Sequence, residues 1–150
     1  MHSWTYCILE DYPIATLTDA SKFLSTQSIS NSKKTISGYC FDIDNDCVWL
    51  EGTGQMVVAF RKANMEKEAD FYLQEMTKTV IKSTENTTLK GLPYVSNNAT
   101  NFGRESIWKS ADAEPSIASS VWYLFGALNY NPFDIDLKKE IPQNDKFWLK

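Results

Sequence analysis

Between positions 42 and 51 the chain places four carboxylates, Asp42, Asp44, Asp46 and Glu51, beside one large aromatic, Trp49. The three aspartates alternate with Ile43, Asn45 and Cys47, so an extended or turning backbone puts all three carboxylates on one side. Like charges held this way repel. The arrangement persists if the groups are solvated, if they share a cation, or if one keeps its proton, and the last case supplies an acid at neutral pH. Glu51 stands two residues after Trp49 and just before an apolar run. Burial against the indole would raise its pKa, whereas a helix N-terminus would stabilise its ionised form by about 0.3–1 kcal/mol. The simpler alternative is that Glu51 or Thr53 caps the helix and the aspartates form a solvated turn.

Those groups need elements to hold them. From Gln55 onward Met56, Val57, Ala59, Phe60 and Ala63 cover one broad face at helical spacing, which predicts a helix over 54–63 with Glu51 at its mouth. Gly52 and Gly54 let the backbone pass close to a neighbour. A second, amphipathic helix is predicted over 66–82 from Ala69, Tyr72, Leu73, Met76 and Val80. A third, over 115–129, shows almost no polar face and is expected to be the most buried. Residues 83–112 lose helical period, gain Asn, Gly and Pro, and carry Tyr94, Phe102 and Trp108; so long a connection often carries function. Upstream, Thr16 or Thr18 caps a short helix, and 28–35 reads as a polar loop. Residues 134–150 read as a loosely packed tail.

Composition bounds the functional classes. At 150 residues, 43% hydrophobic and 23% charged, the chain reads as a single domain spanning 1–150. The net charge of −4 and the scattered basic residues argue against nucleic acid as a partner. No apolar run approaches the roughly 20 residues that span a bilayer, so no membrane partner is expected. The start lacks signal-peptide regions, and the odd count of three cysteines, Cys7, Cys40 and Cys47, suits reduced thiols. A cytoplasmic location is the expectation. Those cysteines, with the single His2, lack familiar metal-ligand spacing, so neither a metal nor another cofactor is predicted.

A family resemblance rests on layout and short motifs. W-x-E-G-T-x-Q at 49–55, an amphipathic helix after it, G-L-P-Y at 91–94, and P-S-I-A-S-S-V-W from 115 leading to N-P-F at 131–133 together resemble the closing hairpins of the six-hairpin glycosidases. The resemblance implies an all-α fold: a partial α/α toroid, the C-terminal piece of an (α/α)6-like barrel. It implies a carbohydrate-active protein that binds or cleaves a saccharide with carboxylates at the toroid mouth, Glu51 as acid and Asp42 or Asp44 as base. Trp49, Gln55, Tyr94 and Trp108 would line the substrate site. Because a complete toroid has more helices than this chain offers, self-association or a partner chain completing it is also expected.

Other classes stay open: a non-catalytic saccharide-binding domain, a calcium-binding domain, and a terpene-type toroid. Counted from Asp42, the sixth and twelfth positions of an EF-hand loop fall on Cys47 and Thr53 instead of Gly and Glu, which leaves only a non-EF oxygen site. The terpene-type alternative, with magnesium and diphosphate, needs adjacent aspartates and ranks last.

Overall fold

The computed structural model describes residues 2–9, 12–30, 32–98, 101–102, 105–106 and 110–134. Its axis is a helix, here α3 (Leu50–Lys62), in which Leu50 and every residue from Gly52 to Phe60 is buried. Three helices pack on it: α1 (His2–Ile8), α4 (Glu66–Thr77) and α5 (Ile117–Ala127). A short α2 (Ala15–Asp19) runs into a 3-10 turn (Ala20–Phe23) and contributes Leu17 and Ala20 to the same core. One main cluster joins Cys7, Leu17, Ile36, Leu50, Val57, Met76 and Trp122, and a smaller one joins Cys40, Cys47 and Val95. Each fully buried aliphatic there is worth about 1.5–3 kcal/mol relative to exposure.

The close crossing of α3 and α5 depends on a residue without a side chain. A Cβ on Gly54 would stand 2.8 Å from Trp122 Cβ and 3.1 Å from its backbone carbon. Trp122 then packs edge-on to Phe125 at 5.5 Å and tilts against Phe133 at 5.9 Å.

The all-α expectation fails, and with it the partial α/α toroid. The protein is mixed α/β, with antiparallel pairs β1 (Leu24–Ser28) with β2 (Thr35–Tyr39), β3 (Ile81–Lys82) with β4 (Lys90–Gly91), and β5 (Asn101–Phe102) with β6 (Glu105–Ser106). The first hairpin runs in register from Leu24 opposite Tyr39 to Ser28 opposite Thr35. Its strands are rich in Ser and Thr, so they lack the apolar alternation that marks a half-buried strand. They are held by long-range contacts instead. The Ser37 N–H donates to Glu75 Oε2 at 2.8 Å, the Tyr39 N–H to Thr53 Oγ1 at 3.0 Å, and the Thr26 and Ser37 hydroxyls meet across the strands at 2.8 Å.

Helix positions also shift. The first of the three expected helices starts at Leu50, ahead of both glycines, and the second ends at Thr77. The third starts at Ile117, with the Ser119 N–H donating to the Ser116 side chain as its cap. It is not the most buried helix. Ser119, Trp122 and Gly126 are enclosed, whereas Ile117 and Leu128 are 83% and 74% exposed. The expected tail from 135 onward lies outside the described residues.

Candidate functional site

The start of α3 is laced into two neighbouring segments. The Trp49 N–H donates to the Tyr39 carbonyl at 2.8 Å, the Leu50 N–H to the Tyr94 carbonyl at 3.0 Å, and the Ser96 N–H to the Val48 carbonyl at 3.0 Å. The Val48 N–H donates to Ser96 Oγ at 2.9 Å, and Trp49 forms an antiparallel bridge with Val95. Thr53 closes the turn: its hydroxyl donates to the Trp49 carbonyl at 2.9 Å while accepting from Tyr39. Residues 48–50 thus form an extended rung between the end of β2 and the 94–96 segment. That rung fixes where the side chains of Trp49, Glu51 and Tyr94 emerge.

Four of the expected site residues are brought together. The Trp49 and Tyr94 rings lie 6.4 Å apart at 60°. The Glu51 carboxylate accepts from Gln55 Nε2 at 3.2 Å and from the Tyr94 hydroxyl. Burial raises the Glu51 pKa above the usual glutamate range, and the hydrogen bonds from Tyr94 and Gln55 oppose that rise. Tyr94 is also raised, first by burial and then by the Glu51 charge. Trp49 takes this pose because its ring lies over Gly52, where any Cβ would collide with the indole. Both helix-start glycines therefore admit a tryptophan, one a ring and the other a helix.

Asp42 and Asp44 fall in a different cluster. The Asp44 N–H donates to Asp42 Oδ1 at 3.4 Å and the Asp46 N–H to Asp44 Oδ1 at 3.2 Å, so each side chain supports the turn that carries the next. Asn45 reverses the chain with φ 55°, and its carbonyl accepts from Ser25 Oγ and Gln27 Nε2 at 2.8 and 2.7 Å. Burial, then the neighbouring Asp44, raise the Asp42 pKa. Beside Trp49 lies a cavity of about 90 Å³ whose wall includes Cys40, Phe41, Trp49, Gly52 and Gln55 but neither Asp42 nor Asp44. That is well below the roughly 300–1,000 Å³ of sites that enclose a small molecule, so it accepts part of a ligand at most. Trp108 lies outside the described residues.

A larger cavity, about 650 Å³, lies elsewhere, between α1, α3 and residues 125–134. Its two cations are already engaged. Arg61 pairs with Glu66 and Asp70, and Lys62 Nζ donates to the Cys7 and Leu9 carbonyls at 3.1 and 3.0 Å. Volume alone does not make it the better candidate: its one buried thiol, Cys7, is held protonated by desolvation.

Sequence spacing missed one pair. Cys40 and Cys47 are both buried, with sulfurs 3.8 Å apart, because the turn at Asn45 folds the acidic run back on itself. The Cys40 thiol donates to Asp42 Oδ1 at 3.6 Å and its pKa is lowered to about 7, chiefly by the hydrogen bond with Cys47. Cys7, buried near Lys62, is pushed up to about 12 by desolvation. The available signal was the D-x-D-N-D turn between the two cysteines.

Among the described residues no helix is long and apolar enough to cross a membrane. No family model, curated protein or solved structure matches the chain.

Proposed function

We propose that the face formed by Trp49, Glu51, Gln55 and Tyr94 binds a saccharide, with Glu51 as hydroxyl acceptor and the two rings as an apolar platform. The observation that supports it most is a half-buried carboxylate steadied by Tyr94 and Gln55 beside two tilted aromatic rings. A carboxylate in that setting accepts hydrogen bonds from neighbouring hydroxyls more strongly than one in open water. The rings offer their faces to the C–H groups of a pyranose.

Binding fits better than bond cleavage. Cleavage needs a second carboxylate working opposite the first, and among the described residues the contacts of Asp42 and Asp44 are with their own turn and with Cys40. The small cavity beside Trp49 and Gln55 would take a substituent of the ring, not the ring itself. We place this role in the cytoplasm, where the free thiols of Cys7, Cys40 and Cys47 stay reduced.

Titrating the protein calorimetrically with a panel of neutral and acidic oligosaccharides tests this reading. Glu51→Gln keeps the shape and removes the charge, so it should weaken binding by about 10–100-fold, the worth of one charge-assisted hydrogen bond. Trp49→Ala should remove binding altogether. A panel with no ligand, or a ligand whose affinity both variants leave intact, overturns it.

A further inference from the structure

We propose that Cys40, Cys47 and Asp46 form a binding site for a tetrahedral, thiophilic divalent cation of the zinc class. Three ligand atoms, the two sulfurs and an Asp46 carboxylate oxygen, all lie within 4.8 Å of one another. Zinc holds thiolates at about 2.3 Å, and a tetrahedral angle then sets two such sulfurs about 3.8 Å apart. The observed Cys40–Cys47 separation is 3.8 Å, so the cation enters without moving either sulfur. A disulfide would instead require the pair to close to about 2.05 Å.

The surroundings hold this geometry in place before any ion arrives. The Cys40 N–H donates to the Phe23 carbonyl at 2.7 Å, and Asn97 Nδ2 donates to the Asp46 carbonyl at 2.9 Å. Ser25 and Gln27 grip the Asn45 carbonyl between them. The backbone on both sides of the ligand set is therefore pinned by two other parts of the chain, the kind of outer support that metal ligands need. The local core is also small: Cys40, Cys47 and Val95 form a separate cluster, flanked by Phe41, Tyr94 and Ala111. A core of that size contributes little, whereas a cation joining 40 to 47 would staple the turn. On binding, the two thiol protons leave to solvent and the cation takes both thiolates and one carboxylate, with water in the fourth position. Two sulfurs and one oxygen suit zinc over calcium or magnesium, which take oxygen alone.

The experiment is titration of the reduced, metal-free full chain with cobalt(II), followed by zinc. The expected result is one equivalent bound, a near-ultraviolet thiolate-to-cobalt charge-transfer band, the intense visible bands of a tetrahedral site, and displacement by zinc. Cys40→Ser and Cys47→Ser should each abolish the charge-transfer band or halve it. Asp46→Asn should weaken binding at least tenfold, and Cys7→Ser should change nothing. Because a serine variant can lose its fold, X-ray absorption on the zinc-loaded wild-type chain provides a second measure, with two sulfurs expected in the first coordination sphere. A weak octahedral cobalt spectrum, no sulfur around zinc, binding that survives both cysteine variants, or oxidation to a Cys40–Cys47 disulfide without metal uptake would overturn the assignment.

Discussion

Replacing Thr53 with valine removes one hydroxyl from the middle of the structure and leaves a side chain of nearly the same shape. Thr53 is 0% exposed, and its hydroxyl accepts the Tyr39 N–H at 3.0 Å while donating to the Trp49 carbonyl at 2.9 Å. The Trp49 carbonyl keeps a second donor, the Thr53 N–H at 2.9 Å, so it remains satisfied. The Tyr39 N–H is left buried without its acceptor, a loss of about 1–3 kcal/mol. At roughly 2–4 °C per kcal/mol for a chain of this size, the melting temperature should fall by about 2–12 °C. Amide hydrogen exchange locates the effect: the Tyr39 amide should lose protection in Thr53→Val and keep it in Thr53→Ser, which retains the hydroxyl. Unchanged protection at Tyr39 would refute the role given to Thr53 in joining β2 to the start of α3.

Three further outcomes follow from the same structure. The folded-state pKa of Glu51 is raised, so the folded form loses stability as pH climbs from the ordinary value of about 4.3 through the higher one. Glu51→Gln does not titrate, and its stability relative to wild type should rise across that window and then level off; urea unfolding at several pH values would show a fall instead if the carboxylate were stabilised. Gly54→Ala sets a methyl 2.8 Å from Trp122 Cβ, and such overpacking should destabilise by about 1–3 kcal/mol, measured by thermal melting; a neutral outcome would mean α3 and α5 separate easily. Ile117, Leu124 and Leu128 are 83%, 51% and 74% exposed on the same side of α5, so light scattering should show self-association that rises with concentration and disappears in Ile117→Lys/Leu124→Glu; a monomer at all concentrations would contradict it.

The segments legible in the sequence were those whose pattern is local. Apolar spacing at Met56, Val57, Ala59 and Phe60 marked α3, and the same rule marked α4 and α5. What the spacing could not give was the partner of each face. Eight apolar positions in 117–128 imply burial, but α5 encloses only Ser119, Trp122 and Gly126 fully, Phe125 packs in part against the core, and Ile117, Leu124 and Leu128 stay exposed. The start of α3 was misplaced because Gly52 and Gly54 weaken a helix in isolation, and their compensation comes from Trp49 and Trp122. The β1–β2 hairpin was hidden because Ser25, Thr26, Ser28 and Ser37 look like loop residues until Glu75 and Thr53 supply acceptors. Trp49, Glu51 and Gln55 are close in sequence, so their grouping was readable; Tyr94 joined them through the long connection between α4 and α5. The meeting of Cys40 with Cys47 depends on the positive φ at Asn45, which spacing does not reveal.

The most direct test of saccharide recognition is a two-dimensional NMR titration of the isotopically labelled chain with the best oligosaccharide from the panel. The expected result is a shift of the Trp49 indole resonance together with amides of 49–55 and 94–96, with the amides of α4 unmoved. A spectrum unchanged at saturating sugar, or shifts confined to the large cavity around Phe125 and Tyr130, would contradict the assignment of that face.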